Sequence, residues 1–216
     1  MSIRALVGVP GSGKSLHAMD EIYYASLRKS SLIITNFDVN WPRHARCSRA
    51  RVPSGELNVA DLIDAVRVWL EQGHRVTREG QILVVIDEAQ IPFSNRDWNK
   101  KGRDEWIRLF ILHRKVGMRF LLIVQDIGMI DKQIRANVES IGYHTLINSY
   151  GWFGRLVHVL GLGRPFSMCV WRLPFYGASK ASIVGRDLVI GRRRIYRMYD
   201  THTMFGDDLG LGEIWG

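Results

Sequence analysis

Eight residues near the amino terminus restrict what this chain can fold into more than any other stretch: Gly8-Val9-Pro10-Gly11-Ser12-Gly13-Lys14-Ser15. They match the spacing G-x-x-x-x-G-K-[ST], which has a physical reason. Glycines at 8, 11 and 13 open backbone conformations closed to residues with a Cβ, so successive N–H groups can converge on an anion. Ile3-Arg4-Ala5-Leu6-Val7 reads as a buried strand entering the loop, and Ser15-Leu16-His17-Ala18-Met19 begins a helix. The positive end of the helix dipole adds to the attraction for phosphate. Gly8, Pro10, Gly11, Ser12, Gly13, Lys14, Ser15 and Leu16 are the expected nucleotide-binding residues. Lys14 is expected to reach the β- and γ-phosphates, which gives it a catalytic role as well. The Ser15 hydroxyl is expected on Mg²⁺, so ATP and Mg²⁺ are the expected cofactors.

A second signal agrees with the first. Gln81-Ile82-Leu83-Val84-Val85-Ile86-Asp87-Glu88 is an apolar run long enough for a strand buried on both faces, and it delivers two carboxylates at its end. Asp87 is expected to hold Mg²⁺. Glu88 is then placed to activate the attacking water as general base. Phe120-Leu121-Leu122-Ile123-Val124-Gln125-Asp126 is another buried strand with a polar end. Gln125 resembles the sensor that some P-loop ATPases place near the γ-phosphate; a strand-end hydrogen bond is the other reading.

The remaining chain reads as alternating elements. Ser31–Asn36 is a strand ending in Thr35, Asn36 and Asp38, which face a ligand crevice or form a turn. Residues 39–58 look like a long loop carrying Arg43, Arg46, Arg49, Arg51, His44 and Trp41. Such a loop suits a nucleic-acid backbone or a solvated surface. Asn58 caps an amphipathic helix through Leu70. Phe93–Asn99 reads as an exposed loop, Asp104–Val116 as a helix stopped by Gly117, Asp131–Val138 as helical, and Tyr143–Ile147 as a fifth strand. Residues 152–166 are apolar and glycine-rich, and suit either a membrane or protein contact or a satellite core. Ser167–Phe175 and Ala181–Ile190 alternate as a hairpin should. We expect an α/β P-loop NTPase core over 1–148 with a mostly parallel sheet, and a small appendage of hairpin and short helix over 149–216.

Composition narrows the class. The chain has 216 residues, 46% of them hydrophobic, which excludes global disorder. Its net charge of +9 suits an acidic partner. Cys47 and Cys169 show no metal-ligand spacing in sequence and fit a reducing compartment. No apolar run approaches the ~20 residues of a membrane span, and no signal peptide is apparent.

With these motifs in order, the chain resembles the filamentous-phage assembly ATPases (gene I proteins) and the N-terminal domain of zonular occludens toxin (Zot). The likeness rests on Phe93-Ser94-Asn95-Arg96-Asp97-Trp98-Asn99, on Leu112-His113-Arg114-Lys115-Val116-Gly117, on Val124-Gln125-Asp126, on Ile130–Arg135, on Thr35-Asn36-Phe37-Asp38, and on the closing Ile195-Tyr196-Arg197-Met198-Tyr199-Asp200-Thr201. It implies the RecA/FtsK-like branch, with the sensor strand between the two motif-bearing strands. The implied function is an ATP-hydrolysing motor for assembly and export of filamentous virions, on the cytoplasmic face of the host inner membrane. Implied partners are phage assembly proteins, the phage single-stranded DNA–protein complex, an outer-membrane export channel, and the inner membrane through a segment absent from this chain. The implied active form is a homo-oligomeric ring, for which a hexamer is one option, with an arginine supplied in trans. Arg114, Arg135 and Arg96 are the candidates. Two other functions fit parts of the pattern: a single-stranded DNA translocase or packaging ATPase, and a non-hydrolysing interaction module.

Overall fold

The computed structural model describes residues 3–54, 57–95, 102–147, 166–174 and 182–199. One eight-stranded sheet runs through them. Six strands are parallel: β1 (Ile3–Val7), β2 (Leu32–Thr35), β3 (Ser48–Arg51), β4 (Ile82–Ile86), β5 (Met118–Val124) and β6 (Ser140–Leu146). Two more, β7 (Phe166–Arg172) and β8 (Ile183–Ile190), add on antiparallel. The order across the sheet is β3-β2-β4-β5-β1-β6-β7-β8. The strand ending at Gln125 thus lies between the strand entering the glycine loop and the strand ending at Asp87, as the branch assignment requires.

The sheet interior explains the apolar runs. Every residue of β4 is buried, because a central parallel strand is covered on both faces. Successive side chains point to opposite faces. Ile82, Val84 and Ile86 join a core with α2 (Val59–Glu71) and α3 (Arg103–Leu112), which includes Leu62, Trp69, Trp106 and Phe110. Leu83 and Val85 join a second core with α1 (Lys14–Ser26) and α5 (Arg193–Tyr196), which includes Met19, Ile22, Ile195 and Met198. Between β5 and β6 lie a 3₁₀ turn at Ile127–Met129 and the short helix α4 (Lys132–Arg135). No helix among the described residues is long and apolar enough to cross a membrane.

Helix α2 begins at Asn58 as expected, with a reciprocal cap between Asn58 and Asp61. Other expectations need correction. Within the supposed loop 39–58, Ser48–Arg51 is an edge strand paired with β2. An edge strand buries little, so Ser-Arg-Ala-Arg carries no apolar signal. Helix α3 stops at Leu112, where His113 to Gly117 fold into a turn and Met118 N–H bonds the His113 carbonyl. The helix expected over Asp131–Val138 is a single turn capped by the Asp131 carboxylate. Strand β6 starts at Ser140, before the expected Tyr143. Phe93 belongs to the core and not to an exposed loop: its ring packs against Trp106 and Phe110 at 4.8 and 5.6 Å. The expected contact segment 152–166 lies outside the described residues except for Phe166, the half-buried first residue of β7.

Candidate nucleotide site

The glycine loop leaves the carboxyl end of β1 and closes at the amino end of α1. Lys14 Nζ donates to the Gly8 carbonyl at 2.6 Å and the Val9 carbonyl at 3.1 Å, folding the loop around its own lysine. Burial pushes the Lys14 ammonium below its ordinary value, while the Glu88 and Asp87 carboxylates oppose the shift. Gly13 has φ 99°, and a Cβ there would lie 2.6 Å from the Ser167 Cβ. Only glycine satisfies both the left-handed backbone and the close approach of β7. Ser167 also donates its hydroxyl to the Ser12 carbonyl at 2.6 Å, so a strand far along the chain braces the loop.

The carboxylates arrive from β4. Asp87 is 5% exposed and Glu88 is half-buried. The Asn36 amide clamps the Asp87 backbone from the end of β2. Its Nδ2 donates to the Asp87 carbonyl at 3.0 Å, and its Oδ1 accepts from the Asp87 N–H at 2.8 Å. Asn36 thereby continues the β2–β4 ladder one residue past the strand. Asp87 Oδ1 accepts from the Glu88 N–H at 2.8 Å. Glu88 has φ 48°, a left-handed conformation that costs a non-glycine residue about 1–3 kcal/mol and that clusters at functional sites. Its carboxylate accepts a hydrogen bond from the Gln90 amide.

Tyr199, just beyond α5, joins the two expected metal ligands. Its hydroxyl donates to Asp87 Oδ2 at 3.0 Å and is hydrogen-bonded to the Ser15 side chain. The Ser15 and Asp87 oxygens therefore converge on one point, as two ligands of a hard cation do, and both are oxygen donors suited to Mg²⁺. Burial raises the Asp87 carboxyl, while the Glu88 N–H and the Tyr199 hydroxyl hold it down. Burial and the neighbouring Asp87 charge raise the Tyr199 phenol, so it is a neutral donor here. A cleft of about 310 Å³ beside this point is lined by Gly11, Gly13, Lys14, Ser15, Leu16, Tyr196 and Tyr199, among others. Nothing in the local sequence signals the position of Tyr199. It falls in the tyrosine-rich closing stretch that carried the family likeness, with no role attached.

The structure brings Lys14, Ser15, Asp87 and Glu88 together at one end of the sheet. Gln125 directly follows β5 at the same end and is exposed. Arg114 is placed elsewhere. It precedes β5 at the amino end of the sheet, where it pairs with Glu139 and lies 3.5 Å from Glu79. Arg135, on α4, donates to the Ile127 carbonyl at 3.4 Å. Arg96 lies outside the described residues. In the basic stretch, Arg49 stacks over Trp41 at 5.0 Å and Arg51 pairs with Asp38 at 3.0 Å, so two of its four arginines have partners within the chain.

Comparison with known proteins supplies the wider frame. A family model described as Zonular occludens toxin (Zot) matches residues 2–161. The Gene 1 protein of Enterobacteria phage I2-2 is 27% identical, over 98% of this chain and 59% of the relative. The Gene 1 protein of Enterobacteria phage f1 is 29% identical, over 98% of this chain and 62% of the relative. The chain thus spans about three fifths of the length of these curated relatives. Among solved structures, the N-terminal domain of zonular occludens toxin from Neisseria meningitidis superposes with a TM-score of 0.58 at 16% identity, covering 92% of this chain and 98% of that one. A second solved structure, that of an ATPase domain, gives 0.55 at 8% identity, covering 92% and 84%. These likenesses establish the P-loop NTPase fold.

Proposed function

The chain belongs to the zonular occludens toxin family, and on that footing we propose that it is a Mg²⁺-dependent ATPase driving assembly and export of filamentous virions at the host inner membrane. The observation that carries the reading is the convergence of Ser15 and Asp87 on one point beside Lys14, with Glu88 next in the chain. Lys14 exchanges the Gly8 and Val9 carbonyls for phosphate oxygens. Ser15 and Asp87 would hold Mg²⁺, which when bound neutralises charge on the β- and γ-phosphates. Glu88 accepts a proton from the attacking water, and Gln125, at the end of the intervening strand, orients that water or the γ-phosphate. Positioning and electrostatics supply the catalysis, and little covalent chemistry falls to the protein.

The likeness to the Gene 1 proteins of phages I2-2 and f1 supports the assembly role. A ring with an arginine supplied across the subunit boundary remains our reading of how hydrolysis is completed, with Arg114, Arg135 and Arg96 as candidates. Arg114 would have to leave Glu139 to serve. The deciding experiment measures ATPase rate against protein concentration, with and without single-stranded phage DNA. A specific activity that rises with concentration supports a ring. Stimulation by DNA that weakens steeply with salt would favour a translocase. No hydrolysis under any of these conditions, with nucleotide bound, would favour an interaction module.

A further inference from the structure

Behind the glycine loop, three donors from three elements meet in one buried cluster: His17 on α1, His144 on β6 and Cys169 on β7. Their donor atoms lie within 4.8 Å of one another, and the residues are 7%, 5% and 0% exposed. We propose that His17 Nδ1, His144 Nε2 and Cys169 Sγ bind a borderline-soft divalent cation of the Zn²⁺ class, which ties the loop helix to the last strands of the sheet.

The spacing suits the ion. The two nitrogens are 3.1 Å apart. Two imidazole ligands on a tetrahedral Zn²⁺, each at about 2.0–2.1 Å, would sit about 3.3 Å apart. Cys169 is the register partner of His144 across the β6–β7 pair, so both side chains share the face covered by α1. Gly142, two residues before His144, makes room for the thiol; a Cβ there would lie 2.6 Å from Sγ.

The proton arrangement points the same way. Ser167 gives its hydroxyl proton to the Ser12 carbonyl, so its oxygen must accept from His144 Nδ1, 3.1 Å away. His144 is therefore protonated at Nδ1 and presents a lone pair at Nε2. His17 Nε2 lies 3.9 Å from Glu21 Oε1, a buried oxygen without a hydrogen-bond partner. A proton on His17 Nε2 suits Glu21 but sets two lone pairs face to face. A proton on His17 Nδ1 satisfies His144 but turns a lone pair on the carboxylate. Protonating both nitrogens would place a charged ring in a site where His17 and His144 are 7% and 5% exposed. A cation between the rings resolves the conflict, with the outer N–H of His144 on the Ser167 oxygen, the arrangement usual for metal-bound histidines, and that of His17 facing the Glu21 carboxylate. Glu21, Asp187 and Asp20 supply negative field against Arg4 and Lys14. On binding, the Cys169 thiol, pushed up to about 12 by its apolar surroundings, releases its proton to water as the metal–sulfur bond forms, and the imidazoles bind neutral.

The test uses the full chain, stripped with a chelator and titrated with Zn²⁺ against a chromophoric competitor, then with Co²⁺. One equivalent of Zn²⁺ should bind, and Co²⁺ should give a thiolate-to-metal charge-transfer band. Cys169→Ser should abolish the band, and His144→Gln should weaken Zn²⁺ binding at least tenfold. Wild-type protein that takes up no stoichiometric Zn²⁺ or shows no charge-transfer band overturns the proposal, and needs no variant to do so. Binding unchanged in both variants overturns it equally.

Discussion

Tyr199→Phe separates a hydroxyl that competes with the metal from one that merely packs. The ring should stay in place, because its edge-to-face contact with Phe37 at 5.7 Å does not involve the hydroxyl. What is lost is the donor to Asp87 Oδ2 and the bond to Ser15. A hydrogen bond to a charged group contributes about 1.5–3 kcal/mol. In the wild type this bond must break before Ser15 and Asp87 can turn to a cation, so its energy is subtracted from Mg²⁺–nucleotide binding. Removing it should tighten Mg²⁺–ATP by about 10- to 150-fold, at 1.4 kcal/mol per decade. The nucleotide-free protein should lose stability by a similar amount, since Asp87 then keeps only the Glu88 N–H as a donor to its carboxylate among the bonds described above. Calorimetry with Mg²⁺–ATP, and with ATP in excess chelator, gives the answer. Affinity should rise in the first titration and stay level in the second. Equal or weaker Mg²⁺–ATP binding in the variant would refute the competition and make Tyr199 part of the loaded site.

Three further outcomes follow from the same geometry. Lys14→Ala should weaken ATP binding by about 10- to 150-fold, one charged hydrogen bond's worth, measured by calorimetry; unchanged affinity would remove the loop from the site. Glu88→Gln should leave binding nearly intact and stop turnover, seen as bound, unhydrolysed ATP in a single-turnover assay. Asn36→Ala leaves the buried Asp87 N–H and carbonyl without their side-chain partners, at about 1–3 kcal/mol each, so the melting temperature and the Mg²⁺ dependence of ATP binding should both fall.

The sequence disclosed those parts of the molecule whose physics is local. The glycine loop, the two carboxylates after β4 and the central strands were legible because each rests on a short local pattern of fixed spacing or an unbroken apolar run. Strand β3 was not, since Ser48-Arg49-Ala50-Arg51 at a sheet edge has no buried face to imprint a pattern. The length of α3 was overestimated because His113-Arg114-Lys115 suits both the last turn of a helix and the turn that replaces it. Asn36 looked like a turn residue or a crevice residue, and its bonds to Asp87 depend on β2 and β4 becoming neighbours. Ser167 and Tyr199 were illegible for a related reason: each reaches the site from a distant part of the chain, 155 residues from Ser12 in one case and 112 from Asp87 in the other.

Those two distant residues both reach the nucleotide end of the sheet, and they do so through different kinds of contact. Ser167 sits on β7, hydrogen-bonded to β6 along its length and fixed in register. It holds the Ser12 carbonyl, and it also lines the cleft beside Lys14. Tyr199 is carried by α5, one turn of helix, anchored by Ile195 and Met198 in the core, by Arg194 over the Tyr23 ring at 4.6 Å, by the Arg192–Tyr24 bond at 2.8 Å, and by the Met198 carbonyl accepting from Asn40 N–H at 2.9 Å. A ligand shifts an equilibrium only by the difference in its affinity for two states. A cation held by Ser15 and Asp87 would oppose the Tyr199 contact, whereas the described bonds of the Ser167 hydroxyl involve neither residue. Loading that site would therefore change the partners of the Tyr199 hydroxyl while Ile195, Met198, Arg192 and Arg194 keep α5 in place.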